Sequence, residues 1–340
     1  MRPVRIVAAA VLAAGMLVGG PGTTAGACAC GGIVSPDLDA RVTGEQSLVA
    51  LDGNAETIVM RLDLHSVADN AALIVPTPTP ATASQAEPGL FRELERLTAP
   101  RIEHGGTGHS GLEEAGGGPT VVAQVQLGPL EATTLTGGDL TGVRHWLDSN
   151  GYTMRPEVTA ALDPYLKQGW SFVAMRLTGG APLSGQLDPV RLDFTSDQLV
   201  YPMRMSAAAK DTQRVTIYTL GQHRMQRTDA DASRQDVTVD YAGSIEGRTT
   251  DQSLTELSTR NPYLTKISTT ITEPSSIATD FIFSPAPNDD PYQRVIGRDD
   301  GDADVGAFLV ALGASAIVVV LAAAVGTIWF VRYRRSARVE

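Results

Sequence analysis

Between Glu56 and Leu64 the chain reads Glu-Thr-Ile-Val-Met-Arg-Leu-Asp-Leu. Ile58, Met60, Leu62 and Leu64 alternate with Val59, Arg61 and Asp63. Successive side chains of a strand point to opposite faces, so this period of two predicts a strand that buries its even-numbered face. Just upstream, Asp52-Gly53-Asn54 supplies turn chemistry, which makes Ser47 to Leu51 the expected hairpin partner. Leu73 to Val75 and Val121 to Leu127 read as further short strands. From Trp170 onward strands dominate: Ser171 to Leu177, Val190 to Phe194, Leu199 to Met205, Val215 to Leu220, Val237 to Tyr241, Leu264 to Thr272 and Phe281 to Phe283.

Helices are fewer. Pro88 to Leu97 sets Leu90, Leu94 and Leu97 on one face, opposite Glu and Arg. Asp139 to Ser149 reads as a helix stopped by Asn150-Gly151, and Pro156 to Gln168 as one or two short helices stopped by Gly169. Pro164 has no N–H for a helix interior, so a break is expected there, with Asp163 as N-cap of a second piece. Pro76-Thr77-Pro78-Thr79-Pro80 reads as a stiff polyproline connector, and Gly105 to Gly118 as a glycine-dense loop. The expected class is α+β, a strand-rich extracytoplasmic domain with a few short helices, plus one C-terminal transmembrane helix.

That last element comes from the ends. Of 340 residues 43% are hydrophobic, and the longest apolar runs sit at the termini. Arg2 and Arg5 precede the uncharged run Ile6 to Gly19, and Ala25-Gly26-Ala27 offers the small residues of a signal-peptidase site. Residues 1–27 are therefore expected to be a signal peptide. Val305 to Val331 carries no charge over 27 residues, which makes about 40 Å of helix against a hydrocarbon core of about 30 Å. Arg332, Arg334, Arg335 and Arg338 follow it, while Asp299, Asp300, Asp302 and Asp304 precede it. The positive-inside rule then puts the body outside the cell membrane and residues 332–340 in the cytoplasm, as the basic tail of a single-pass protein. Residues 288–304 read as an acidic, solvated stalk, which leaves 28–287 as the extracytoplasmic domain. Ala307, Ala311 and Ser315 recur every four residues, a small-residue stripe compatible with a weak homodimer through the span.

The formal charge is −11. Setting aside the six arginines and Glu340 at the ends leaves 21 basic against 37 acidic residues, or −16, from Cys28 to Asp304. Such an acidic body is a poor candidate for nucleic-acid binding and none is expected, because phosphate neutralisation needs clustered Lys and Arg.

Cys28 and Cys30 are the two cysteines. A strained local disulfide between them, pairing with another chain, lipidation of Cys28 as first mature residue, and metal ligation compete, the last furnished with only half the usual ligands. Gly106-Thr107-Gly108-His109-Ser110-Gly111 spells a dinucleotide fingerprint without the helix that would aim a dipole at pyrophosphate. Leu112 breaks its likeness to a nucleophile elbow. His104 and His109 lie among Glu103, Glu113 and Glu114, but ordering so many glycines costs entropy before any metal bond forms. Asp300, Asp302 and Asp304 mimic a calcium loop that lacks its glycine and its glutamate. His65, His145 and His223 have no spaced partner. No cofactor, metal or catalytic residue is expected from these patterns.

Other blocks carry a resemblance. They are Cys30-Gly31-Gly32, Ala72-Leu73-Ile74-Val75-Pro76 and Phe91-Arg92-Glu93-Leu94-Glu95; then Trp146-Leu147-Asp148-Ser149-Asn150-Gly151-Tyr152 and Leu166-Lys167-Gln168-Gly169-Trp170-Ser171-Phe172-Val173-Ala174. Val190-Arg191-Leu192-Asp193-Phe194, Val200-Tyr201-Pro202-Met203-Arg204-Met205 and Tyr263-Leu264-Thr265-Lys266 complete the set. Together, from about Cys28 to Pro287, they resemble the bacterial secreted family named Domain of Unknown Function 2330. The resemblance implies a secreted, often membrane-anchored protein and carries no reaction with it. Physically, Val143, Trp146 and Leu147 share a helical face and Trp170, Phe172 and Ala174 a strand face, which predicts a helix packed on a sheet ahead of a pocket lined by Trp146, Trp170 and Tyr201. The functional expectation is a membrane-tethered ectodomain that binds an envelope protein or polymer. The alternative is an envelope enzyme, a hydrolase or thiol redox protein, whose site is assembled from distant residues.

Overall fold

The structure is a computed structural model that describes residues 32–37, 40–104, 131–135, 140–154, 156–178 and 183–298. In chain order its strands are β1 (Gly32–Val34), β2 (Arg41–Asp52), β3 (Ala55–His65), β4 (Asn70–Thr77), β5 (Thr82–Gln85), β6 (Arg101–His104), β7 (Glu131–Leu135), β8 (Ser171–Thr178) and β9 (Ser184–Gln186). They continue as β10 (Val190–Thr195), β11 (Leu199–Tyr201), β12 (Gln213–Gly221), β13 (Met225–Arg227), β14 (Asp236–Ser244), β15 (Tyr263–Ile271), β16 (Phe281–Pro285), β17 (Tyr292–Gln293) and β18 (Val295–Arg298). The helices are α1 (Leu90–Leu97), α2 (Leu140–Ser149), α3 (Pro156–Lys167) and α4 (Gln252–Ser258), with 3-10 turns at Arg204–Ala208 and Pro274–Ser276. The chain is thus strand-rich α+β.

The fold divides into two units, Met1–Pro100 with Ala115–Arg294, and Arg101–Glu114 with Val295–Glu340. Within the second, β6 and β18 pair in parallel.

The first unit is built on a 9-stranded sheet ordered β17-β14-β15-β12-β2-β3-β10-β5, with β9 also on β3. Its centre is the hairpin expected from the sequence: β2 and β3 pair antiparallel down to Asp52↔Ala55, and Gly53 at φ +63° makes the left-handed turn. β12 joins β2 in parallel and the remaining pairs of that sheet are antiparallel. A 4-stranded sheet, β1-β4-β8-β7, and a 3-stranded sheet, β11-β16-β13, complete the unit.

Side-chain alternation explains the layers. Ile58, Met60, Leu62 and Leu64 join Ile33, Leu73, Val75, Val173 and Met175 in one core between the large and the 4-stranded sheets. Ala72, Ile74, Phe172 and Ala174, on the other face of β4 and β8, meet α2 and α3 through Val143, Leu147, Val158, Leu162 and Tyr165. This is the helix-on-sheet packing expected for Trp146 and Trp170, both of which lie half-buried against that cluster. Each buried aliphatic side chain contributes about 1.5–3 kcal/mol of transfer free energy. Gly32 has a packing reason, because a Cβ there would stand 2.8 Å from Met205 Cε and 3.1 Å from Val158 Cγ1.

Several expectations are corrected. The odd face of β3 is buried too: Val59 packs with Leu48, Tyr218, Phe91, Leu94 and Leu254 in a third core. Helices α1 and α4 cover the face that alternation alone assigns to solvent. Residues 156–167 form one helix through Pro164. The carbonyl this proline leaves without an N–H belongs to Ala160, which is exposed, so solvent can satisfy it. Pro76 and Thr77 continue β4 opposite Phe172 and Ser171, and Thr79 exchanges hydrogen bonds with the Thr195 backbone, so this stretch is tied down instead of forming a spacer. The strand expected to reach Met205 ends at Tyr201, where Pro202 cannot donate to a ladder. Of the segment read as a stalk, Tyr292 and Gln293 pair with β14, while Asp289 receives hydrogen bonds from His223 and the Arg224 N–H.

Among the described residues no helix is long and apolar enough to cross a membrane. The signal segment, Cys28 and Cys30, the strand expected at Val121 to Leu127, the loop from Gly105 to Gly118, and the span Val305 to Val331 lie outside them.

Candidate functional site

Two of the blocks that carry the family resemblance meet at Arg204. The first is the end of α3, where the left-handed Gly169 (φ +73°) closes a cap and the Trp170 N–H donates to the Tyr165 carbonyl at 3.0 Å. The cap sets the Trp170 ring 4.9 Å from that of Tyr165. The second block leaves β11 at Pro202 and coils into the turn that starts with Arg204.

Asp280, just before β16, organises the meeting. Its Oδ1 accepts from the Tyr165 hydroxyl at 2.5 Å and the Met203 N–H at 2.8 Å. Its Oδ2 accepts from Arg204 Nε at 2.8 Å and Nη2 at 2.7 Å. The two side chains are 6% and 13% exposed, so this is a desolvated pair held by a full set of hydrogen bonds, the condition under which such a pair is tolerated. Burial, reinforced by the charge of Asp280, pushes the Tyr165 hydroxyl well above its ordinary pKa and keeps it a proton donor. Arg204 Nη2 also donates to Gln168 Oε1 at 2.8 Å, and its guanidinium lies 4.3 Å over the Tyr165 ring and 5.8 Å from that of Trp170. Nη1 is left with no hydrogen-bond partner among the described residues.

Arg204 lines a cleft of about 590 Å³ whose other walls are mostly small and apolar, among them Ala160, Ala161 and Pro164 of α3, Ala207, Ala208 and Ile277. Glu157 stands among the same lining residues. A concave apolar wall with one fixed polar group is the usual form of a small-ligand site. Nothing here activates a nucleophile. Arg204 has its charge matched by Asp280 and offers hydrogen bonds, which suits binding an oxygen acceptor.

The pocket weighed from sequence is not assembled. Tyr201 lies in the core between sheets, where its hydroxyl contacts Ser47 Oγ at 2.6 Å and donates to Glu45, whereas Trp146 and Trp170 lie on the helix side of the 4-stranded sheet. His145 is exposed on α2, His65 Nδ1 is 3.5 Å from Ser184 Oγ, and His223 Nδ1 is 2.8 Å from Asp289 Oδ2. Among the described residues no three or more His, Cys, Asp or Glu are grouped to hold a metal. His109, Glu113, Glu114, Asp300, Asp302 and Asp304 lie outside them. Tyr165 and Asp280 were missed by sequence reasoning, and no local pattern marks either. Gln168 and Arg204 were visible only as parts of the quoted blocks, and Trp170 beyond that as a residue packing a helix on a sheet.

No curated protein matches this sequence. Among solved structures, baculovirus P35 aligns at 8% identity over 75% of this chain and 97% of its own, with a TM-score of 0.34. A mutated baculovirus P35 after caspase cleavage aligns at 8% identity over 74% and 100%, with a TM-score of 0.33. Scores this low carry neither fold nor function across. The family model described as "Uncharacterized protein conserved in bacteria (DUF2330)" matches residues 24–284, and the chain belongs to that family.

Proposed function

We propose that this protein is an exported binding module, tethered to the cell membrane by one span, that holds an envelope protein or polymer through the cleft beside Arg204. On this reading residues 1–27 are removed, 28–287 form the extracytoplasmic domain, 288–304 connect it to the span 305–331, and 332–340 stay in the cytoplasm. The carrying observation is the unmatched Nη1 of a half-buried, aromatic-backed Arg204 on an alanine-walled cleft. The ligand element that fits combines a small aliphatic body with a carbonyl or carboxylate oxygen, and a preordered guanidinium loses little entropy on accepting it.

A photocrosslinking residue at Ala160 in intact cells tests the reading. It is expected to give a discrete adduct with an envelope component, lost in Ala208→Trp, which fills the cleft, and weakened in Arg204→Lys. Adducts that persist with the cleft filled, or that form equally from a crosslinker at the exposed Thr255, would overturn it. Turnover of an envelope substrate abolished by a single polar substitution would establish the enzyme alternative instead.

A further inference from the structure

A second cleft, of about 410 Å³, lies where α4 and the residues after it meet β2, β3 and β10 of the large sheet, and is built mainly from charged and polar groups. Val190, Leu192 and Phe194 of β10 point into the main core, so period two turns Arg191 and Asp193 outward on one face. Ala50 of β2 and Thr57 of β3 lie among its lining residues, as do Glu256 and Leu257 of α4 and the following Thr259, Arg260 and Asn261.

The hydrogen bonding inside the cleft is one-sided. Arg191 spends only Nε on Asp193, at 3.0 and 2.8 Å to its two oxygens, and Asp193 is fixed further by the Thr57 hydroxyl at 2.6 Å. Both Nη groups of Arg191 have no hydrogen-bond partner among the described residues, which leaves the fork that suits a carboxylate. The Glu256 carboxylate accepts no hydrogen bond among the described residues and lies close enough to act on the Arg191 charge. Asn261 is 5% exposed, and its Nδ2 is tied to the Leu51 carbonyl at 3.1 Å. Its Oδ1 is left with no partner among the described residues. Arg260 is matched by Asp52 at 2.7 Å. A donor fork, a carboxylate and an amide oxygen thus share one cleft, with no aromatic ring among the lining residues to stack a sugar.

We propose that this cleft binds a zwitterionic amino-acid or short-peptide ligand, its carboxylate on the Arg191 fork and its ammonium on Glu256 and the Asn261 Oδ1. Asp193 and Asp52 are balanced by Arg191 and Arg260, which leaves Glu256 as the lining carboxylate without an ion pair among the described residues. A simple anion would face that charge and a simple cation would leave the Arg191 fork unused, whereas a ligand carrying both charges uses both. The volume suits one to three small residues. The site is independent of the Arg204 cleft and stands or falls without it.

Calorimetric titration of the full-length protein with the dipeptide Ala-Ala, its N-acetyl derivative and its C-terminal amide tests the assignment. Saturable binding of Ala-Ala is expected, with each blocked derivative weaker by about tenfold or more, the loss of one charge-assisted contact. In Glu256→Gln, whose side chain is exposed, the penalty for N-acetylation should vanish while that for amidation stays; Arg191→Gln should do the reverse. Melting temperatures of both variants report whether the fold is kept. No saturable binding of Ala-Ala or of the single amino acids at millimolar concentration, or equal binding of all three compounds, would overturn the proposal.

Discussion

Glu56 shows how one residue couples the core to pH. It is 1% exposed, with the Val200 N–H donating to its Oε1 at 2.9 Å. Burial pushes its carboxyl up to about 8, only partly offset by the Val200 N–H and the Ser196 hydroxyl. A carboxyl whose folded pKa lies above the unfolded value holds its proton more tightly in the native state. Its contribution to stability is therefore complete below about 4.5 and is lost as pH rises through about 8, at about 1.4 kcal/mol per pH unit in that window. Glu56→Gln cannot ionise. The stability of the variant minus that of the wild type, from urea unfolding, is expected to rise by a few kcal/mol between pH 5 and pH 9; a difference constant with pH would refute it. None of this is legible in sequence, where Glu56 reads as a polar strand residue. Nor is the Arg204–Asp280 pair, whose members stand 76 positions apart. Arg191 and Asp193 are the exception, since an Arg and an Asp two apart on an apolar strand must share its outer face.

Among the elements, α1 does more than its eight residues suggest. It closes the face of the large sheet that alternation leaves open, with Phe91 fully buried, 6.4 Å ring to ring from Tyr218, and the Arg61 guanidinium 4.7 Å above its centroid. The two-residue period of β3 tells which side chains share a face. It is silent on whether a second layer will cover the other face, because the cover comes from residues 90–97 and 252–258. The long strands and α1 to α3 were readable because each holds enough apolar residues to show a period. Short elements such as β5, β9, β13, β17 and α4 were not, being ordered by their neighbours instead of by their own pattern. Phe91→Ala is expected to cost about 3–5 kcal/mol in chemical unfolding, the range for emptying a buried aromatic site. Phe91→Leu should cost clearly less, and equal losses from both would mean that the ring contacts with Tyr218 and Arg61, not the filled volume, hold α1 down.

For the whole molecule the question is whether the acidic body is tied to a membrane at all. Val305 to Val331 is either a span or part of the fold, and removing it separates these cases. Transfer of 27 uncharged, mostly apolar residues from water is far too favourable for this segment to stand bare in solvent, so the expectation is that lipid or protein covers it. If lipid covers it, a chain ending at Asp304 leaves its folded part whole. That chain should be exported, recovered in the soluble fraction and as resistant to protease as the intact one, while the intact chain stays with membranes after a high-salt wash. If protein covers it, the truncation exposes apolar surface, and the shortened chain should aggregate or be degraded while the intact chain is soluble. If 305–331 spans a membrane, the four arginines that follow it favour the cytoplasmic side. An epitope placed after Glu340 should withstand protease added to intact cells, and its removal there would reverse the topology.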